Sequence, residues 1–185
     1  MEKIFKQLPS TCIKVVFFGP ESTGKTTLAR TLAEVYNTSW VSEYARSYLE
    51  EKLSRSGNIC TIEDMIPIAK GQINLENKNA QKANKFLFCD TNLISTQVYS
   101  EAYFSGWCDY RIIEANKENH YDKYFLTDID VPFEQDLLRD RPDRREEMFM
   151  AFKSILHKYS LEYTLLSGPH DARVKCVLET LNFHK

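Results

Sequence analysis

Short apolar runs alternate along the chain with longer segments of helical periodicity. Five of the runs are rich in β-branched and aromatic residues, and most of them end at a glycine, a serine or an acidic residue. Such short, bounded runs are typical of strands that are buried on both faces. The predicted strands cover residues 13–18, 39–42, 86–89, 124–127 and 163–166.

Helical spacing of the apolar positions fills the segments between these strands. Because strands that alternate with helices form a parallel sheet with helices on both faces, the pattern predicts an α/β fold. The predicted helices cover residues 24–36, 44–53, 61–82, 93–104, 110–119, 144–158 and 172–181, and the third of them opens with a capping-box pattern, Thr61-Ile-Glu-Asp64.

Right-handed crossovers place the carboxyl ends of all the strands at one edge of the sheet, where ligands bind. Gly19, Glu43, Asp90, Asp128 and Gly168 all fall at such ends. Acidic side chains at three separate strand ends are hard to explain by packing alone. We therefore expect the functional site at this edge.

The segment 19–26 reads Gly-Pro-Glu-Ser-Thr-Gly-Lys-Thr and matches the phosphate-loop pattern G-x-x-x-x-G-K-[ST] in full. It lies between a predicted strand and a predicted helix, as the motif requires. Its glycines let backbone N–H groups turn towards phosphate oxygens, and the helix dipole adds positive potential there. The predicted ATP-binding residues of this loop and its helix are Gly19, Glu21, Ser22, Thr23, Gly24, Lys25, Thr26 and Thr27.

Two strand-end acids suit the remaining chemistry of phosphoryl transfer. A carboxylate must orient the acceptor hydroxyl and take its proton, and Mg²⁺ must hold the outer phosphates. We assign Thr26 and Asp90 to Mg²⁺, directly or through water, and Glu43 to the acceptor hydroxyl. The roles of the two acids could be exchanged, and each could instead serve as the N-cap of the helix that follows it.

An arginine cluster precedes the long helix 144–158. A lid that carries arginines neutralises charge on a transferring phosphoryl group and excludes water. We predict such a lid at about residues 132–146, with Arg139 and Arg141 as catalytic residues. The alternative is a solvated loop in which neighbouring acids balance the arginines.

Further residues are predicted beside the two substrates. Glu43, Tyr44, Arg46, Asp90 and Tyr99 form the predicted acceptor-binding set, in which an aromatic ring would stack on a flat base. His170 and Arg173 follow the last strand and are predicted to border the adenine of ATP.

Composition narrows the class of protein. The 185 residues carry a formal net charge of −2, without the basic excess of a general nucleic-acid binder. Five scattered cysteines form no C-x-x-C pair, and no apolar run is long enough to span a membrane. We expect a single cytoplasmic domain over residues 1–185, with residues 1–12 as an N-terminal extension, that binds neither nucleic acid nor membranes.

Three blocks of the sequence resemble the ribosylnicotinamide kinase domain of NadR-type proteins. They are GPESTGKTTLARTLAEVYNTSWVSEYARSYLE at 19–50, CDTNLISTQVYSEAYFSG at 89–106 and the D-x-L-R-D-x-P-D-R-R-E-E pattern at 136–147. The resemblance implies a P-loop three-layer sandwich with strand order 2-3-1-4-5. It also implies a kinase that makes nicotinamide mononucleotide from nicotinamide riboside and ATP, with Lys25, Thr26, Glu43, Asp90 and Arg139 at site positions.

Two alternatives stay open. The chain could phosphorylate another nucleoside, or it could be a P-loop ATPase switch whose nucleotide state controls a protein partner. A switch would hydrolyse ATP slowly without any acceptor, whereas a kinase would respond to one.

Overall fold

The computed structural model describes residues 5–57, 60–135, 138 and 142–182. Its strands are β1 (Ile13–Phe18), β2 (Trp40–Val41), β3 (Phe86–Asp90), β4 (Lys123–Thr127) and β5 (Tyr163–Leu166). They form one parallel sheet in the order β2-β3-β1-β4-β5, so the predicted fold class and strand order are confirmed.

Seven α-helices lie in the described part of the chain. They are α1 (Lys25–Val35), α2 (Tyr44–Ser56), α3 (Met65–Ala80), α4 (Leu93–Tyr103), α5 (Tyr110–Glu118), α6 (Arg145–Lys158) and α7 (His170–Asn182), and short 3-10 turns at Ile62–Asp64 and Pro142–Arg144 precede α3 and α6. The predicted capping box at Thr61 is confirmed, because Asp64 Oδ2 accepts a hydrogen bond of 2.7 Å from the Thr61 backbone N–H.

The predicted boundaries of several elements shift by one to four residues, the largest shift being the start of α3 at Met65. β2 is only two residues long, Trp40 and Val41, which pair in register with Phe88 and Cys89 of β3, and α2 continues past the predicted end to Ser56. Gly57 ends α2 in a left-handed conformation with φ of 67°, and its N–H bonds to Leu53 O. This glycine C-cap is the physical signal for the later end.

Alternate residues of β1 face opposite layers of the sandwich. Val16 and Phe18 pack towards α6, where the Phe18 and Phe152 rings meet edge to face at 4.7 Å between centroids. Val15 and Phe17 pack towards α1 and α7, and Phe17 stacks on Phe125 at 5.9 Å. Burial on both faces explains why the strands read as continuous apolar runs and not as alternating ones.

A buried ionic network ties α3 to the start of β1 and to the segment before β4. The carboxylate of Glu76, fully buried, accepts hydrogen bonds from Lys14 Nζ at 3.0 Å, Gln7 Nε2 at 2.7 Å and Tyr121 Oη at 2.6 Å. A buried charge with several hydrogen bonds is tolerated, whereas removal of one partner leaves desolvated groups unpaired. The segment before β1 is therefore bound to the core through the hydrogen bond between Gln7 and Glu76.

We expect Tyr121→Phe to lower the free energy of unfolding by about 1.5–3 kcal/mol, the range for a hydrogen bond to a charged group. The measurement is urea unfolding followed by circular dichroism. Tyr110→Phe is the matched control, because Tyr110 is 63% exposed, and its change should stay within about 0.5 kcal/mol. Equal effects at the two tyrosines would contradict the role of the network.

In the described residues, no helix combines the length and the apolar composition needed to cross a membrane.

Candidate active site

The phosphate loop takes the conformation that its glycines allow. Gly19 has φ of +141°, and a Cβ atom there would lie 2.6 Å from Thr127 Oγ1 on β4. Gly24 has φ of +80° and stands at the N-cap of α1. Residues with side chains rarely adopt either backbone conformation, and at Gly19 an added Cβ atom would also clash with Thr127. The motif thus fits a tight loop between β1 and the N-terminus of α1.

Lys25 and Thr26 begin α1 at the mouth of this loop. Lys25 is 9% exposed, and its Nζ donates to the Pro20 carbonyl oxygen at 2.5 Å, inside the loop. Thr26 Oγ1 donates to Asp90 Oδ2 at 2.5 Å. Asp90 is the last residue of β3 and pairs in register with Phe17 of the neighbouring β1. The sheet therefore sets this carboxylate directly beside the loop.

The Thr26–Asp90 pair fits Mg²⁺. A hydroxyl and a carboxylate are the hard oxygen ligands that this ion prefers. No group of three or more His, Cys, Asp or Glu side chains capable of holding a metal occurs within the described ranges. The remaining ligands would come from phosphate oxygens and water, as is usual for Mg²⁺ beside a bound nucleotide.

Glu43 stands at the N-cap of α2, but its side chain makes no capping hydrogen bond. Gln72 of α3 takes that role instead: its Oε1 accepts from the Tyr44 N–H at 2.8 Å, and its Nε2 donates to Ser42 O at 3.3 Å. The Glu43 carboxylate is therefore left to line the cavity beside the phosphate loop.

Burial raises the pKa of Glu43 to about 7, and the negative charge of Asp90 adds to this rise. Lys25 and Arg46 oppose it, whereas Glu21 reinforces it. A carboxylate with a pKa near neutrality accepts a proton far more readily than an ordinary one. Because such shifts cluster at functional sites, the value supports a chemical role for Glu43.

One cavity of about 710 Å³ contains the loop and the acid together. Its apolar lining comes from α2, the start of α3 and the end of α4, including Leu49, Met65, Ile68 and Phe104. The predicted residues that line it are Glu21, Ser22, Thr23, Gly24, Lys25, Thr26, Thr27, Glu43, Arg46, Tyr99 and His170. A cavity of this size and mixed lining can hold a small organic molecule next to a phosphate chain.

Of the predicted residues that the structure describes, four lie outside this lining. Asp90 contacts the lining residue Thr26 through a hydrogen bond, and Gly19 lies at the start of the phosphate loop, against Thr127. Tyr44 packs its ring against Gly71, where an added Cβ would lie 2.0 Å from the ring, and it contacts Tyr48 at 6.2 Å between centroids. The Tyr44 ring therefore does not line the cavity, and its stacking on a base of the acceptor stays a prediction.

Arg173, the fourth of these residues, contacts the phosphate loop and is 2% exposed. Its Nη1 donates to Thr23 O at 2.8 Å, its Nε donates to Gly168 O at 2.8 Å, and its Nη2 forms an ion pair with Asp130. The Arg173 guanidinium thus bonds to backbone carbonyls of the phosphate loop and of the segment after β5, and its contact with the adenine of ATP stays a prediction.

The described part of the predicted lid already rests on the loop. Arg145 Nη2 donates to Ser22 O at 3.0 Å, its Nη1 donates to Val131 O at 2.6 Å, and the Glu134 N–H donates to Ser22 Oγ at 2.7 Å. Arg139 and Arg141 lie outside the described residues, so their catalytic role stays a prediction.

Several residues that line the cavity were not predicted from the sequence. Gln72, Thr91, Ser95 and Thr96 are polar, and Ala45, Leu49, Met65 and Ile68 are apolar. A signal existed for Ser95, because it lies one helical turn before Tyr99 on the same face of α4. No comparable signal existed for Gln72, whose place depends on how α3 packs against α2.

A parallel sheet in the order 2-3-1-4-5, with a complete phosphate loop after its first strand, defines a P-loop protein of the nucleotide-kinase fold. A family model described as an AAA domain, AAA_28, matches residues 14–173, and the chain belongs to this family.

Two curated relatives are NadR proteins, each named a trifunctional NAD biosynthesis/regulator protein. The one from Escherichia coli strain K12 is 27% identical over 168 residues, which cover 88% of this chain and 40% of the relative. The one from Salmonella typhimurium strain LT2 is 30% identical over 126 residues, or 68% of this chain and 30% of the relative. The chain thus spans less than half the length of these relatives, and the predicted resemblance to NadR-type proteins is confirmed.

Solved structures agree on the fold. A crystal structure of NadR protein in complex with NR has a TM-score of 0.77 and 22% identity, covering 93% of this chain and 50% of that one. A deoxyadenosine kinase from M. mycoides, with dCMP and dCDP bound, has a TM-score of 0.66 and 12% identity, covering 94% of this chain and 100% of that one.

Proposed function

We propose that this chain is an ATP-dependent kinase that phosphorylates nicotinamide riboside to nicotinamide mononucleotide. The observation that carries the proposal is the single cavity lined by both the phosphate loop and Glu43, whose carboxyl has a pKa raised to about 7. A donor phosphate at one end and a proton acceptor near it are what transfer to a hydroxyl requires.

The chemistry follows from these positions. The acceptor hydroxyl gives its proton to Glu43 as its oxygen forms a bond to the γ-phosphorus of ATP, and the bond between that phosphorus and the β–γ bridging oxygen breaks to release ADP. Lys25 and the loop amides stabilise the charge that moves onto the phosphate oxygens. When bound, Mg²⁺ held by Thr26 and Asp90 would neutralise part of the charge on the β- and γ-phosphates.

The nature of the acceptor rests on similarity. NadR is the relative found both among curated sequences and among solved structures, and one of those structures holds NR. Similarity in fold to a deoxyadenosine kinase supports a nucleoside as the general class of acceptor. The proposal names nicotinamide riboside because the NadR likeness combines sequence and fold.

The test is release of ADP by the purified chain, with ATP and Mg²⁺, in the presence of nicotinamide riboside, deoxyadenosine or no acceptor. We expect ADP release to rise strongly with nicotinamide riboside, and mass spectrometry to show one phosphoryl group added to it. Stimulation by deoxyadenosine alone would favour another nucleoside kinase. Slow hydrolysis that no nucleoside stimulates would contradict a kinase and favour the ATPase switch.

A further inference from the structure

One face of α4 contributes four residues that carry hydroxyl groups to the lining of the cavity. Ser95, Thr96, Tyr99 and Tyr103 all belong to the lining, and their spacing places them on one side of the helix. Leu49, Met65 and Ile68 from α2 and α3 supply apolar surface elsewhere in the same cavity. A flat molecule bound here would find polar partners on α4 and apolar contact on the other helices.

Ser95 is distinct within this face. Its side chain is buried, at 3% exposure, and its Oγ finds no hydrogen-bond partner in the part of the chain that the structure describes. Its backbone N–H is paired with Asn92, to Oδ1 at 3.2 Å and to the carbonyl oxygen at 3.1 Å. An unpaired buried hydroxyl costs about 1–3 kcal/mol, so a ligand that pairs with it recovers that cost on binding.

Charges in the cavity indicate what kind of group would meet this hydroxyl. Glu21, Glu43 and Glu134 line the cavity, so a further carboxylate would be repelled. Of its cations, Lys25 belongs to the phosphate loop, and Arg46 pairs with Glu50 at 3.0 Å. An uncharged polar group fits beside Ser95 better than an anionic one.

We propose that Ser95 Oγ hydrogen-bonds the carboxamide of the acceptor's ring and makes the site selective for a riboside that carries an uncharged amide. The assignment rests on the proposed function and names the residue that recognises the acceptor. Ser95 then determines which acceptor is bound, a role separate from the chemical roles of Glu43, Lys25 and Asp90.

The matched control is Ser100 on the same helix. It is also buried, but its Oγ donates to Trp107 O at 2.8 Å, so it serves the fold. Without ligand, Ser100→Ala should lower the melting temperature, whereas Ser95→Ala should leave it unchanged or raise it, because no internal bond is lost. A matching fall in Ser95→Ala would show a structural serine and overturn the proposal.

The test of recognition uses calorimetric binding and kcat/KM with three ribosides: nicotinamide riboside, the pyridinium riboside that lacks the carboxamide, and nicotinic acid riboside. Ser95→Ala should weaken affinity and kcat/KM for nicotinamide riboside about tenfold, the size of one hydrogen bond. It should change those for the pyridinium riboside less than about twofold, while Ser100→Ala keeps the wild-type ratio between these two.

The wild type should bind nicotinic acid riboside more weakly than nicotinamide riboside. Equal affinity for both would overturn the preference for an uncharged group, and an equal loss for all ribosides in Ser95→Ala would overturn the contact with the amide. Calorimetry in the presence of ADP separates the two proposals: binding without turnover would reject the kinase and still test Ser95, whereas no binding of nicotinamide riboside would reject both.

Discussion

Replacing Lys25 by alanine is expected to lower kcat about 10²- to 10³-fold while the protein stays folded. Loss of one preorganised donor to a transition-state oxygen has an effect of this size. Lys25 Nζ already lies within the loop, 2.5 Å from Pro20 O, and an incoming phosphate would compete for it with that carbonyl. The measurement is acceptor-dependent ADP release, with circular dichroism to verify the fold.

Lys70→Ala provides the control for Lys25. Lys70 is an exposed lysine on α3, outside the residues that line the cavity, and its loss should leave kcat unchanged. The same change of charge is thereby made away from the loop. Turnover of Lys25→Ala within a few-fold of the wild type would remove the phosphate loop from the mechanism, whatever the acceptor is.

The sheet and its strand order could be predicted because the hydrophobic pattern and the phosphate-loop motif indicate the same fold. Buried parallel strands are short apolar runs, and the glycines of 19–26 mark the turn from the first strand to its helix. The ends of helices were less accurate, since caps depend on single residues. Gly57 illustrates this: it ends α2 three residues beyond the prediction, at Ser56.

Site residues could be predicted where a local sequence motif carries the function, and less well where the packing of separate elements positions them. Lys25 and Thr26 follow from the motif, and the place of Asp90 follows from its strand end. Arg173 shows the limit, because its guanidinium bonds to the backbone of the phosphate loop at Thr23 O and to Gly168 O. Packing of separate helices decided that outcome, and no local pattern encodes it.

Glu43 illustrates how one contact from elsewhere in the fold decides between two interpretations of a residue. From the sequence alone, an acid before a helix is either an N-cap or a catalytic group, and both readings were open. Gln72 contacts the Tyr44 N–H and so satisfies the helix end without Glu43. The carboxylate that the helix does not use stays in the cavity, at the cost of a raised pKa.

Glu43→Gln is therefore expected to lower kcat about 10²-fold or more, the contribution of a positioned general base, with little change in the KM for ATP. Glutamine keeps the shape of the side chain but cannot take a proton. Glu51→Gln is the control, since Glu51 lies on the exposed side of α2 and pairs only with Arg55 among the described ion pairs. A rise in the KM for ATP with kcat unchanged would show that Glu43 binds and does not act as the base.

The pH dependence gives Glu43 a second signature. Because its pKa in the folded protein is about 7, the base form is lost as pH falls, and kcat/KM of the wild type should fall about tenfold per unit below pH 7. In Glu43→Gln, kcat/KM should not show this fall below pH 7.

The raised pKa of Glu43 also affects stability, because the folded protein binds this proton more tightly than the unfolded chain, in which the pKa of Glu43 is near 4.5. Stability from Glu43 is thus full below pH 4.5 and is lost as pH rises through 7. Glu43→Gln should accordingly melt at a higher temperature than the wild type at pH 8, with the difference shrinking as pH falls towards 4.5. An equal difference at all pH values would mean that folding does not shift the pKa of Glu43 and that its carboxyl is not the tuned base of this site.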